Sequence, residues 1–225
     1  MVVQMADILY RWPEPAKFGR RVPKEKLYEH GTVSTAVREK FTKEVKRITW
    51  AYKLAEATIN LPGTPTVPEV QVFVIDAKTK DVSESVLGVI DKAVPFPIIF
   101  EITRQCGEQP EVRMVAAHKQ LGTGTPKIGA YYSTGWQTAD TERQAMPTTI
   151  TLPTLYTALL QPLTPITMRP GEAVAEVADR LATVCRLKRE VARLERKIRT
   201  EPQLNRKVEL RRTLKTKQQE LEEQR

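Results

Sequence analysis

Residues 69–103 read EVQVFVIDAKTKDVSESVLGVIDKAVPFPIIFEIT. The first eight, EVQVFVID, are apolar and β-branched over the length of one strand. Ser83 then stands where an N-cap belongs, ahead of SESVLGVIDKAV, in which Val86, Leu87, Ile90 and Val94 share one helical face. PFPIIFEIT supplies a second strand. Strand, helix and strand within 35 residues predict a βαβ crossover joining two parallel strands buried on both faces.

Downstream, EVRMVAAH (111–118) and KIGAYYS (127–133) are two further strands, and the glycine-rich LGTGTP between them predicts a hairpin. Upstream lies an N-terminal arm rich in proline and basic residues (Pro13, Pro15, Arg20, Arg21, Pro23, Lys24). It leads into VSTAVREKFTKEVKRITWAYKL, where Val37, Phe41, Val45, Ile48 and Tyr52 recur three or four apart and predict one amphipathic helix capped by Ser34. The other face of that helix carries Arg38, Lys40, Lys43, Lys46 and Arg47, interrupted by Glu39 and Glu44, and is open to solvation or to phosphate binding. The loop LPGTPTVP separates it from the first strand of the crossover.

Beyond a helical stretch at Leu155–Leu160, Pro162, Pro165 and Pro170 mark a linker. In the segment that follows, Val177, Leu181 and Val184 give way to Leu187, Val191, Leu194 and Ile198 at coiled-coil spacing. Thr200-Glu201-Pro202-Gln203 stops that helix and starts another, with Leu204, Val208, Leu210, Leu214 and Leu221 along it. The two are expected to fold back as an antiparallel hairpin, with a kinked continuous helix as the alternative. The fold class is therefore α/β: a small mixed sheet with a βαβ crossover and flanking helices, then a coiled-coil-like C-terminal α-helical hairpin. The expected boundaries are an α/β domain over 1–160, a linker over 161–172 and the hairpin over 173–225.

Charge follows the same partition. The 225 residues hold 36 Lys/Arg against 27 Asp/Glu, a net charge of +9 that invites a polyanion. Residues 1–53 carry 12 cations against 6 anions and residues 172–225 carry 15 against 10, while the middle carries 9 against 11. Two basic ends flank a mildly acidic core. Cys106 and Cys185, far apart, form neither a disulfide framework nor a zinc site, which reads as an intracellular protein. The start is too soon interrupted by Asp7 and Arg11 for a signal peptide, and no run is apolar enough to span a membrane. A cytoplasmic location without membrane contact is expected.

His30 and His118 have no Cys or His at ligand spacing, the glycines of LGTGTPKIG match no phosphate-loop pattern, and no GxSxG occurs. No metal and no cofactor are expected. One catalytic constellation remains: Asp76-Ala77-Lys78 ends a strand, as the acidic-x-Lys element of restriction-type nucleases does, with Glu69 and Glu101 as further carboxylates for a divalent metal. Tyr131, Tyr132 and Trp136 form an aromatic cluster that would either stack bases or fill the core.

Several segments together, RWPEPAKFGRRVPKEKLYEH, ITWAYKLAEATINL, the crossover with its Ile90-Asp91-Lys92-Ala93-Val94-Pro95, and YYSTGW, resemble the bacterial "domain of unknown function 4391" family over about residues 8–160. The tail EPQLNRKVELRRTLK is also similar to the helical ends of such proteins. The resemblance implies a setting in restriction and phage-defence clusters beside helicases and DNA methyltransferases, and no enzymatic activity to transfer. The leading expectation is a non-catalytic accessory subunit of a DNA-processing complex. Its C-terminal stripe (Val184, Leu187, Val191, Leu194, Ile198, Leu204, Val208, Leu214) would dock on a helicase, a methyltransferase or a second copy. Arg186, Arg189, Arg193, Arg196, Lys197, Arg206, Lys207, Arg211 and Arg212, with Lys43, Lys46 and Arg47, are open to contact with DNA or to plain solvation, and the hairpin seam is equally open to closure by its own two helices. The alternatives are a metal-dependent nuclease and a stand-alone nucleic-acid-binding protein.

Overall fold

The crossover organises the observed fold. A computed structural model describes residues 8–29, 33–121, 126–164 and 174–224. The chain runs β1 (Tyr10–Arg11), β2 (Lys17–Arg21), α1 (Lys24–Glu29), α2 (Thr35–Glu44), β3 (Val45–Ala55), α3 (Glu56–Ile59), β4 (Glu69–Ala77), α4 (Glu84–Ala93), β5 (Ile98–Cys106), β6 (Gln109–Gln120) and β7 (Lys127–Ser133). The two-residue strands β8 (Gln137–Thr138) and β9 (Gln144–Ala145) follow, then α5 (Leu152–Leu160), α6 (Val174–Thr200) and α7 (Leu204–Glu223). The main sheet has the order β2-β3-β4-β5-β6-β7, with β8 also on β6. β4 and β5 are its parallel pair, as the crossover requires, and β6–β7 is the expected antiparallel hairpin.

Both sheet faces are covered. Phe73, Ile75, Phe100 and Ile102 pack with Phe41 of α2 and Val86, Leu87 and Ile90 of α4. On the opposite face Val70, Val72, Ile99 and Met114 pack with Leu155, Tyr156 and Leu159 of α5. Residues on β4 and β5 therefore read as continuous apolar runs because neither face meets water.

The expected long helix over residues 33–54 ends at Glu44, and β3 begins at Val45. Two irregularities of register, between Val45 and Arg47 and between Trp50 and Tyr52, explain the misleading spacing. Each bulge inserts a residue, so burial falls on Val45, Ile48, Ala51 and Leu54, a period of three that imitates a helix. The second bulge also moves the strand's apolar side chains across the sheet: Ile48 belongs to the α2–α4 face and Leu54 to the α5 face.

The N-terminal arm is likewise part of the fold. Leu9, Tyr10 and Trp12 are buried against the α5 face, and β2 pairs with β3 at the sheet edge. Gly19 lies at φ +64° where β2 slips register, a backbone conformation that suits glycine. At the other end, Gln161–Leu163 forms a 3-10 turn with Leu163 fully buried, so the globular unit runs past residue 160. Residues 1–165 form one compact unit and 166–225 another. Within the second, α6 and α7 pack on each other, and Arg180 donates to the carbonyl of Gln224 at 3.0 Å, which makes the pair an antiparallel hairpin. Among the described residues no helix is long and apolar enough to cross a membrane.

Candidate nucleic-acid interface

The bulged start of β3 puts Lys46 and Arg47 on a strand rather than on a helix face, while Lys43 stays on the last turn of α2. The consequence is a cleft of about 440 Å³ lined by Arg21, Val22, Pro23, Lys24, Glu25, Lys46, Arg47 and Ile48. Four cations face one carboxylate there. Arg47 Nε donates to Asp76 Oδ2 at 2.7 Å, which partly spends its charge. Lys24 Nζ instead donates to backbone carbonyls at the end of α2, to Phe41 at 3.1 Å and Val45 at 2.5 Å. Arg21 and Lys46 are exposed.

Lys24 shows the electrostatic consequence. Its pKa lies below the ordinary lysine value, first because burial strips water from the ammonium and then because Lys78 and Arg21 repel it, with Glu25 opposing. A cation held by fixed carbonyls beside other cations favours an incoming anion.

A second crevice of about 590 Å³ opens at the carboxyl ends of β4 and β5, lined by Ala77, Lys78, Thr79, Lys80, Arg104, Gln105, Cys106 and Gly107. The mouth of a parallel strand pair is where open α/β sheets commonly bind ligands. Lys78 lines this crevice and not the first cleft, although its charge repels Lys24.

The nuclease constellation is dispersed. Glu69 is paired with Lys53 at 2.8 Å and Asp76 with Arg47 at 2.7 Å. Thr103 donates to Asp76 Oδ1 at 2.9 Å. Glu101 is buried, takes a two-pronged bond from Arg143 at 2.7 and 3.0 Å, and accepts from Trp12 Nε1 at 2.6 Å. That bond set ties β1 and β9 to the sheet, and the carboxylate holds the Arg143 pKa above its ordinary value. Lys78 Nζ donates to the carbonyl of Thr42 at 2.8 Å. Among the described residues no group of three or more His, Cys, Asp or Glu could hold a metal ion. Of the aromatic trio, Tyr131 and Trp136 pack against the α2–α4 face and Tyr132 against the α5 face. Trp136 is also stacked by Arg104 at 3.8 Å and Arg113 at 5.0 Å.

Sequence reading missed one buried polar centre. The side chain of Lys119 is fully buried and donates to the carbonyls of Asp91 at 2.6 Å, Val94 at 2.8 Å and Phe96 at 2.8 Å. Asp91 Oδ1 lies 2.7 Å from the same ammonium, an ion pair with both partners buried. Tyr131 donates to the other Asp91 oxygen at 2.7 Å. Burial pushes the Asp91 pKa up and that of Lys119 down, each opposed by the other's charge. The centre closes the end of α4 and its Pro95-Phe96-Pro97 turn, a structural duty inside the core.

In the hairpin, Arg186, Arg189, Arg193, Arg196, Lys197, Arg206, Arg211 and Arg212 are exposed and Lys207 is half-buried. Val184, Leu187 and Leu221 are buried, and Val191, Leu194, Ile198, Leu210 and Leu214 half-buried. Val208 is 40% exposed, and the side chain of Leu204 lies outside the described residues.

No curated protein and no solved structure matches the chain in comparisons of either kind. A family profile does, over residues 11–221, from the arm that forms β1 to the last turn of α7. The chain thus belongs to the family described as domain of unknown function (DUF4391).

Proposed function

We propose that the protein is a non-catalytic, nucleic-acid-binding accessory subunit of a DNA-processing complex. The observation that carries this reading is the cleft of Arg21, Lys24, Lys46 and Arg47, where Glu25 is the one carboxylate in the lining, Arg47 alone is paired with an acid outside it, Asp76, and Lys24 is held by the carbonyls of Phe41 and Val45. Such a surface suits a phosphate backbone without demanding a base sequence. The exposed cations of α6 and α7 add a second basic surface. Because α6 and α7 pack on each other, a partner helicase or methyltransferase of the same defence cluster would meet the outside of the hairpin as much as its seam.

Titrating fluorescein-labelled duplex and single-stranded DNA at several salt concentrations tests the reading: affinity should fall steeply as salt rises. Binding indifferent to salt, or none at low salt, would overturn it. The nuclease alternative requires Glu69, Asp76 and Glu101 to exchange Lys53, Arg47 and Arg143 for a metal. DNA cleavage in Mg²⁺ or Mn²⁺ that disappears in Asp76→Ala and Lys78→Ala would decide for it.

A further inference from the structure

We propose that the crevice at the carboxyl ends of β4 and β5 is a site for a phosphomonoester group, carried by a free mononucleotide or by the phosphorylated end of a nucleic-acid strand. Its charged lining is Lys78, Lys80 and Arg104, and no carboxylate lines it. The acids nearby are already engaged: Glu111 is paired with Arg104 at 2.7 Å and Asp81 with Arg113 at 2.7 Å. Arg104 is fixed from three sides, by Glu111, by the carbonyl of Lys80 at 2.7 Å and by the Trp136 ring. Gln105 brings an amide that gives one proton to the carbonyl of Gly107 at 3.1 Å and keeps the other, while the Thr79 hydroxyl is spent on the carbonyl of Asp81 at 2.8 Å.

The chemistry favours a monoester over a backbone phosphate. A terminal phosphate carries close to two negative charges near neutral pH, a diester only one. Two ammonium groups without a carboxylate in the lining match the former, Lys78 keeping two N–H bonds beyond the one it gives to Thr42. The volume, about 590 Å³, falls among ordinary small-ligand sites and leaves room for the nucleoside attached to the phosphate. The site stands apart from the cleft used in the functional proposal, since Arg21, Lys46 and Arg47 do not line it.

Cys106, exposed in the same crevice, is a built-in reporter. In the full-length Cys185→Ser protein, iodoacetamide alkylation of Cys106 is followed with AMP, with a 5′-phosphorylated oligonucleotide and with its 5′-hydroxyl counterpart, at matched ionic strength. With a dissociation constant on the order of 1 mM, AMP at about 10 mM should slow alkylation about tenfold. The effect should vanish in Lys80→Glu, a substitution of an exposed side chain, and persist in Arg21→Gln/Lys46→Gln. Protection by AMP assigns the free nucleotide; protection by the phosphorylated strand alone assigns the strand end. Absence of protection by either, equal protection by the 5′-hydroxyl strand, or protection surviving in Lys80→Glu would overturn the proposal. DNA binding measured by anisotropy reports on the functional proposal separately.

Discussion

The ammonium of Lys78 donates to the carbonyl oxygen of Thr42 at 2.8 Å, so the lysine that sequence spacing pairs with Asp76 serves the end of α2 instead. Lys24 reaches the same region, at the carbonyls of Phe41 and Val45. A cation at a helix C-terminus is favoured by the helix dipole, and the last-turn carbonyl of Thr42 is among those left over by the helix. Lys78→Met should therefore lower stability by about 1 kcal/mol, seen as a lower urea midpoint at unchanged slope, with Lys78→Arg recovering part of it.

The Lys119–Asp91 pair predicts a larger effect. Removing one member leaves a buried charge unpaired, which typically costs about 3–5 kcal/mol. Lys119→Met and Asp91→Asn should each be strongly destabilising, while the double variant should lose less than their sum. Additive losses in urea melts would contradict the pairing.

The sequence made the crossover and the hairpin legible because both rest on patterns that local spacing preserves. Val72 and Val86 signal strand and helix through buried runs and a shared face, and β4, α4 and β5 follow. Residues 45–55 failed for the opposite reason: two bulges gave Val45, Ile48, Ala51 and Leu54 a helix-like period. Trp50 and Tyr52, with the β-branched Ile48 and Thr49, were the available strand signal. The candidate site inherited that error, since Lys46 and Arg47 join Arg21 only across a β2–β3 pairing. Lys119 was hidden differently, because nothing in the sequence separates a buried lysine from an exposed one.

On the proposed function, Lys24 should make DNA affinity pH-dependent. Its pKa in the folded chain lies below the ordinary 10.5, so between the two values the unfolded chain holds the proton and the folded chain has lost it. Stability attributable to Lys24 therefore rises with pH across that window, while the cleft loses one cation. DNA affinity should fall on the alkaline side earlier in the wild type than in Lys24→Arg, whose guanidinium stays charged. Coincident pH profiles in anisotropy titrations would contradict this.

The most direct test of the basic cleft is the slope of log affinity for duplex DNA against log salt, compared between wild type and Arg21→Gln/Lys46→Gln. Both side chains are exposed, so folding should be nearly unaffected. Loss of two phosphate contacts should weaken binding and make the slope shallower by about 1.8, at about 0.9 per contact. A slope and affinity unchanged by the double substitution would place the nucleic acid elsewhere and contradict the account.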